Sequence, residues 1–268
     1  MVVLHSRNLD EGLHRHEFAE LAVINEGKAL HQTPFGDYPI GAGDVYFIPR
    51  RMAHGVRRIE GLALTNLLFV PERLHFDLGH LSSIPGYHTL FALRHQVDGQ
   101  GEFMNKLRLD PRVLLRVEEV LVRIRQELTD RQEGYILAAE NLATGLSIDL
   151  CRLKSAEGEV SRLPQFRIAR TLSRLEQHLA EPFDLQRAAS IAGMGTRSFQ
   201  RQFSEAMVCS FSTCLLQMGL RRAATLLRTG PLSVTEIALD CGFKDNNYFS
   251  RAFRKHLEVT PTEYRKHR

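Results

Sequence analysis

Cysteine is scarce in this 268-residue chain. Cys151, Cys209, Cys214 and Cys241 are its only four, they lie in apolar sequence, and no two make a C-x-x-C pair. Nothing in that spacing supports a thiolate metal site or a redox pair. No secretory leader is recognisable and no run of about 18 apolar residues occurs, so no membrane partner is expected and the cytoplasm is the expected compartment. Phosphate-binding loops, deaminase signatures and nucleophile–base arrangements are equally missing, which leaves no expected catalytic residue and no expected cofactor.

What is present is ordinary globular material. Hydrophobic residues make up 43% and charged residues 25%, proportions that exclude a disordered, collagen-like or mainly membrane-embedded chain. The length favours two domains. Charge is divided unevenly between them. From Pro164 to Arg268 there are 16 Lys and Arg against 9 Asp and Glu, a surplus of 7, whereas the rest of the chain has a deficit of 3. Only the C-terminal part therefore invites a polyanion.

Short apolar segments at Phe18 to Ile24, Ala29 to Thr33, Val45 to Ile48 and Leu62 to Phe69 are separated by turn residues at Asn25-Glu26-Gly27, Pro34-Phe35-Gly36-Asp37 and Gly41-Ala42-Gly43-Asp44. Spacing that close predicts a small antiparallel β-barrel. The period changes at Asp110-Pro111, a helix cap followed by a residue suited to the first turn. Val113, Leu114, Val117, Val120, Leu121, Ile124 and Leu128 then recur every three or four residues, and a second helix is predicted from Tyr135 to Leu153. The first apolar stripe serves either to cover the barrel or to join two subunits, and a homodimer through it, with Leu121 at its centre, is expected. Lys154-Ser155-Ala156-Glu157-Gly158-Glu159 is small and polar and reads as a linker. The expected architecture is two-domain α+β: residues 1–157 form the β-barrel with a helical hairpin, and residues 158–268 form an all-α domain.

The all-α part contains an internal repeat. Ala189-x-x-Ala192-Gly193-Met194 matches Ala238-x-x-Cys241-Gly242-Phe243 at an offset of 49, and Phe199-Gln200-Arg201-Gln202-Phe203 matches Phe249-Ser250-Arg251-Ala252-Phe253 at an offset of 50. Each copy reads as a helix-turn-helix, at 184–205 and 233–256: the small residue lets two helices approach, the glycine supplies a positive-φ turn, and the paired Phe residues bury the second helix. The polar faces left over hold Arg197, Ser198, Gln200, Arg201 and Ser204 in one copy and Asp245, Asn246, Asn247, Ser250 and Arg254 in the other. Arg, Asn and Gln suit base edges and Ser suits phosphates, so double-stranded DNA is the expected partner. Phe211 to Arg228 is a helical spacer ended by Thr229-Gly230-Pro231, able to set the two reading helices roughly 34 Å apart, one DNA turn.

Ile237-Ala238-x-x-Cys241-Gly242-Phe243-x-Asp245-x-x-Tyr248-Phe249-Ser250-Arg251-x-Phe253, followed by Thr260-Pro261-x-x-Tyr264-Arg265, resembles the signature of the AraC/XylS transcription regulators. The N-terminal half is similar to that family's cupin-like effector domain through His14-x-His16-x-Phe18-x-Glu20 and Gly43-Asp44. Within the family, Leu64 to Phe69, Pro71-Glu72-Arg73-Leu74 and Ile84-Pro85-Gly86-Tyr87 resemble the L-rhamnose-responsive regulators. The resemblance implies an activator of promoters that responds to a small sugar. It places Arg201, Asp245 and Asn247 on base-contacting positions, and Glu236 where the sigma subunit of RNA polymerase is met. Ser204, Val208, Cys214 and Gly219 depart from the family pattern; Gly219 stands for an Arg and is expected to soften the spacer by about 1 kcal/mol.

On an extended strand His14, His16, Phe18 and Glu20 share one side. With Tyr46, His54 and Asn66 the polar members of this set are the candidate effector site, and Phe18 or Phe47 would pack on a sugar's apolar face. Gly43-x5-Pro49-x4-His54 also resembles the second motif of metal cupins, so His14, His16, Glu20 and His54 form a secondary metal-ligand set. Arg51 and Arg58 fall near it and oppose a dication. The competing function is thus a metal-dependent cupin enzyme carrying a DNA-binding tail.

Overall fold

In a computed structural model of the chain, residues 1–8, 10, 12–34, 36–71, 74, 81–92, 106–156, 164–181, 184–207 and 209–266 are described. Phe35, Glu72, Arg73, Val208 and the end of the predicted linker, 157–159, lie outside these residues. The chain divides into two compact units; described residues up to 74 and from 89 to 156 belong to the first, and 81–88 with 164 onward belong to the second.

The first unit is built on β1 (Val2–Arg7), β2 (Ala19–Thr33), β3 (Gly36–Gly41), β4 (Asp44–Ile48), β5 (Gly55–Phe69) and β6 (Lys106–Arg108). All pairings are antiparallel, in the order β1-β5-β2-β4-β6, with β3 also on β2. Two of the predicted strands prove to be one. Asn25-Glu26-Gly27 is a bulge inside the fifteen-residue β2, where the register to β5 shifts three times, and the extra residues are absorbed without reversing the chain. Gly27 has φ +73°, and a Cβ there would overlap the Gly61 carbonyl.

Period two sorts the sheet into two faces. Ala22, Ile24, Tyr46, Ile48 and Leu64 pack on the inner side with Tyr38 and Ile40. Leu21, Val23, Val45, Leu67 and Leu107 pack on the outer side against the helices α1 (Pro111–Asp130) and α2 (Tyr135–Ala156). Asp110 caps α1 as its sequence predicts, accepting from the amides of Arg112 and Val113, and Pro111 occupies the first turn. Helix α2 runs past the expected boundary. Lys154 is buried and its Nζ donates to the Lys106 carbonyl at 2.7 Å, so the first linker residues are helix, held there by a backbone acceptor.

The stripe on α1 is intramolecular core. Val117, Leu121 and Ile124 are buried at 5%, 1% and 0% exposure against α2 and the sheet. The expected subunit contact through Leu121 is therefore corrected: the sheet's outer face needs that apolar cover itself. Leu115, Val122, Ile136 and Leu137 are the exposed large apolar residues of the hairpin.

The second unit comprises α3 (Pro164–Gln177), α4 (Leu185–Ile191), α5 (Thr196–Ala206), α6 (Phe211–Thr229), α7 (Val234–Asp240), α8 (Asn246–Leu257) and α9 (Pro261–Lys266). Residues 81–88 join it: Gln177 donates to the Ser83 carbonyl at 3.1 Å, and burial holds His88, bonded to the Ser82 carbonyl, down to about 3. Burial also pushes the Cys151, Cys214 and Cys241 thiols up to about 12, which makes them inert packing groups. No helix among the described residues is long and apolar enough to cross a membrane.

Leu121→Ala is expected to cost about 2 to 5 kcal/mol of stability, and Leu115→Ala no more than about 0.5 kcal/mol. Urea denaturation of the two variants checks this; equal losses would contradict the assignment of the stripe to the core.

Candidate effector cavity and DNA-reading face

The repeat recurs in three dimensions residue for residue. Helix α7 begins 49 residues after α4, and α8 begins 50 after α5. The turns match as well: Gly193 and Gly242 have φ of +59° and +85°. Met194 N donates to the Ala189 carbonyl and Phe243 N to the Ala238 carbonyl, both at 2.9 Å. Only glycine enters that left-handed conformation without strain; at Gly242 a Cβ would also overlap the Leu179 carbonyl. Phe199, Phe203, Phe249 and Phe253 are buried at 1% exposure or less, so each second helix turns its remaining face outward.

On α5 the exposed polar residues include Arg197, Gln200, Arg201 and Ser204, while Ser198 is half-buried and accepts from Gln202 at 2.9 Å. On α8, Asn246, Asn247 and Arg254 are exposed and Ser250 is half-buried. Asp245 is the N-cap of α8 and accepts from Asn247 N at 2.8 Å; Asn246 donates to Thr235 at 3.3 Å. Lys244, Tyr248 and Arg251 are exposed as well but were not counted among the reading residues from sequence. The repeat itself contains the signal for Arg251, which stands at the position of Arg201 in the second copy.

Glu236 lies in a capping box. Its carboxylate accepts from Ser233 N at 2.7 Å while its own amide donates to Ser233 Oγ at 3.2 Å. These bonds hold its carboxyl below the usual carboxylate range. Gly219 has a packing reason. On α6 it faces the second turn, where a Cβ would stand 2.8 Å from the Cys241 carbonyl oxygen and 3.0 Å from Phe243 Cε2. The departure from the family's Arg thus creates a close helix contact instead of a soft point.

In the first unit the sheet's inner face carries the polar cluster. His14 is not on β2; it forms an isolated bridge with His54, through reciprocal backbone bonds of 2.9 and 3.0 Å. His16 Nε2 stands 3.3 Å from Glu20 Oε2. Four residues of extended strand would separate them by roughly 13 Å, so the chain bends at Glu17-Phe18 before entering β2. The donor atoms of His14, His16 and His54 lie within 4.8 Å of one another. Burial pulls the His16 imidazolium down, but the bonds to Glu20 and the Phe18 carbonyl outweigh it, and its pKa is raised.

Tyr46 and Asn66 both oppose Ala22, one from β4 and one from β5, so they share its inner face. Tyr46 is buried, and burial with the charges of Glu20 and Asp44 pushes its hydroxyl well above the usual range. Asn66 Oδ1 is buried with no hydrogen-bond partner among the described residues. His31, not foreseen as part of the cluster, is fully buried, bonds Tyr38, and has its ring 4.7 Å from Tyr46 and 5.7 Å from His54. Phe18 stacks on His16 at 4.0 Å, beside the polar cluster; the expectation for Phe47 is corrected, because it sits on the opposite sheet face against Phe91 at 5.0 Å. Arg51 pairs with Glu17 at 3.0 Å and Arg58 is exposed.

A sheet whose inner face gathers a buried polar cluster, joined in one chain to two helix-turn-helix units, is the architecture of a two-domain DNA-binding regulator. A profile for an AraC-like ligand binding domain matches residues 4–146 and one for a helix-turn-helix domain matches residues 188–267. The chain belongs to the AraC family of transcription regulators. It is 28% identical over 257 residues to the HTH-type transcriptional activator RhaR of Mannheimia succiniciproducens, covering 94% of this chain and 86% of that one. With RhaR of Yersinia pseudotuberculosis the identity is 28% over 253 residues, covering 94% and 83%. Among solved structures, an AraC-type regulator from Chromobacterium violaceum is 30% identical, covering 38% of this chain and 91% of that one, with a TM-score of 0.36. The DNA-binding domain of AdpA in complex with a target DNA is 31% identical, covering 37% and 90%, also with a TM-score of 0.36.

In an open helix Gly→Ala gains about 1 kcal/mol. Gly219→Ala is expected to reverse that sign and lower the melting temperature, because a backbone oxygen occupies the space its methyl needs. A rise in melting temperature would show that α6 and the second turn are not in contact.

Proposed function

We propose that the chain is a cytoplasmic transcription activator, acting as a homodimer, that reads promoter DNA with α5 and α8 and responds to a small neutral sugar held by the polar cluster at the inner face of its first unit's sheet. It is a regulator and not an enzyme in this reading. The observation that carries it is the doubled helix-turn-helix, whose two outward faces present Arg197, Gln200, Arg201, Asn246, Asn247, Arg251 and Arg254 to solvent. One such helix could be any solvated surface; two, each entered through a glycine turn with the same hydrogen bond, support a pair of groove readers. The relatives named as RhaR activators support activation as the direction of control. Exposed Leu115 and Val122, seven residues apart on α1, are the contact proposed for the dimer, which sedimentation of a Leu115→Glu, Val122→Glu variant tests: a variant that remains dimeric moves the interface elsewhere.

The effector reading rests on buried donors and acceptors: His16, Glu20, His31, Tyr46 and Asn66. A neutral polyol satisfies such a mixed set, and the buried Asn66 oxygen is an acceptor that an incoming hydroxyl can serve. L-Rhamnose is the first candidate, through the Leu64 to Leu74 resemblance. In gel shifts on the full chain at fixed salt, Arg201→Ala, Asn247→Ala and Arg251→Ala are each expected to weaken specific binding by about 1 to 3 kcal/mol. L-Rhamnose is expected to change occupancy for the parent chain but not for an Asn66→Ala variant. Unchanged sequence preference in all three folded variants rejects the reading helices, and a response to another sugar alone rejects only the ligand.

For the sigma subunit, Glu236 is the proposed contact, and its capping duty requires a substitution that separates the two roles. Gln also completes a capping box. Glu236→Gln is expected to lower activation in a reporter assay while DNA affinity stays within twofold of the parent; activation retained by Gln and lost by Ala would reduce Glu236 to its structural role.

A further inference from the structure

We propose that residues 81–88 are a strap whose docking on α3 and α6 holds the DNA-reading unit in its binding form, and through which the first unit controls that form. The control rests on the effector reading above; the docking does not.

Ile84-Pro85-Gly86-Tyr87 lies between two stretches of the first unit, yet it packs in the second. Leu81, Ser82 and His88 are buried at 3%, 1% and 3% exposure. Gln177 of α3 donates to the Ser83 carbonyl at 3.1 Å, His88 Nε2 donates to the Ser82 carbonyl at 2.8 Å, and the Arg221 charge of α6 acts on the His88 ring. These two helices also hold both reading units. Arg167 of α3 donates to the Ala192 carbonyl at 2.6 Å and to the Gly193 carbonyl, inside the first turn. Arg221 pairs with Glu176 of α3 at 3.4 Å, and its neighbour Arg222 pairs with Asp240 of α7 at 2.9 Å, just before the second turn. A docked strap thus braces the helices from which both turns are hung, so the docked form is the one that reads DNA.

The other end of the strap is anchored in the first unit. The turn Pro85–Tyr87 continues directly into the π-helical turn His88–Ala92. Within that turn Leu90 belongs to the core that holds Val45 and Leu107, and the Phe91 ring stands 5.0 Å from Phe47 of β4. Phe47 follows Tyr46, a proposed effector contact, on the same strand. A shift at Tyr46 therefore reaches His88 through one neighbouring residue and one helical turn. The strap is the two-state element whose equilibrium both sites bias.

Acid tests the docking directly. Burial, and after it the Arg221 charge, hold docked His88 down to about 3 against the ordinary 6.5, so between these limits only the released strap takes up a proton. Docking is present above the released value and is lost as pH falls; between pH 7.5 and 5.5 it is expected to weaken about tenfold.

The experiment is hydrogen–deuterium exchange on the full chain, following the amides of Ile84, Tyr87 and His88, which are bonded inside the strap. The DNA is a duplex selected from a random pool by the parent chain. If docking favours DNA, DNA favours docking by the same factor, so saturating duplex is expected to raise the protection of those amides at least about threefold. His88→Arg, which sets a second cation against Arg221, is expected to lose that protection and to weaken duplex binding at least about tenfold. His88→Gln is expected to dock without the pH dependence. Protection unmoved by DNA overturns the proposal, as does duplex affinity within about twofold of the parent in a folded His88→Arg chain. If that variant does not fold, the parent's response to DNA and to pH decides. A parent whose DNA occupancy answers to L-rhamnose while the strap's protection does not overturns the control; a parent with no L-rhamnose response rejects the effector reading and leaves the docking standing.

Discussion

Everything in the first unit hangs on β2, whose residues from Ala19 to Ile24 are buried on both faces. It pairs with β5 from Ala19 to Gln32 and shares its other edge between β4 and β3. Its odd residues Leu21 and Val23 hold the helical hairpin, and its even residues Ala22 and Ile24 pack the inner face beneath the polar cluster. Burying both faces removes any freedom of register, because a slip of one residue would exchange the wall for the helix seat. The same strand begins at the bend that folds His16 back on Glu20 and carries His31 beyond its bulge. The placement of the polar cluster and the seating of the hairpin are thus two readings of one register.

The DNA-reading unit solves a different problem. Helices α5 and α8 are 11 and 12 residues long, lengths at which an isolated helix is marginal in water. Their orientation comes from the buried phenylalanines, each contributing about 1.5 to 3 kcal/mol on burial, and from a glycine turn that leaves no alternative path for the chain. Polar residues on the opposite face then need no partners within the protein to stay in place. Rigid placement of exposed groups is the requirement of groove reading, and it is met by apolar burial beneath them.

Much of this was legible in sequence because it depends on short-range pattern. The repeat with its offset of 49 and 50, the Asp110 cap, and the two turn glycines all follow from residue type and spacing. What escaped has a common cause: tertiary contacts that alter the local rule. The bulge at Asn25 to Gly27 looks like a turn, and it also changes parity, so inward positions are even up to Ile24 and odd at Ala29 and His31. A fixed period of two cannot find His31. The α1 stripe has the same periodicity whether it meets another subunit or its own sheet, and only the exposed outer face of that sheet, invisible in the helix, decides between them. Gly219 reads as a weakness until Cys241 and Phe243 are seen against it. In the site, the structure brings His14, His16 and His54 together and sets His16 against Glu20, by a bend the sequence did not show: a straight strand would have kept His16 from Glu20.

The two halves place their polar atoms in opposite environments, and that contrast indicates where binding free energy comes from. On α5 and α8 the polar groups are already solvated, so contact with DNA exchanges one set of hydrogen bonds for another and the ionic part is sensitive to salt. At the inner face of the sheet, Asn66 Oδ1 has already lost water during folding and has no hydrogen-bond partner among the described residues, while His16 and Glu20 are buried against each other at 3.3 Å. An unsatisfied buried acceptor costs about 1 to 3 kcal/mol, and a ligand that supplies the missing donor recovers that cost on binding. The recovery is available only in the conformation that buries those atoms. Such a ligand consequently has differential affinity for the folded, closed sensor over any looser form, which is the quantity an effector must have to shift a conformational equilibrium. The buried polar cluster is destabilising in isolation, and for that reason it is suited to sensing.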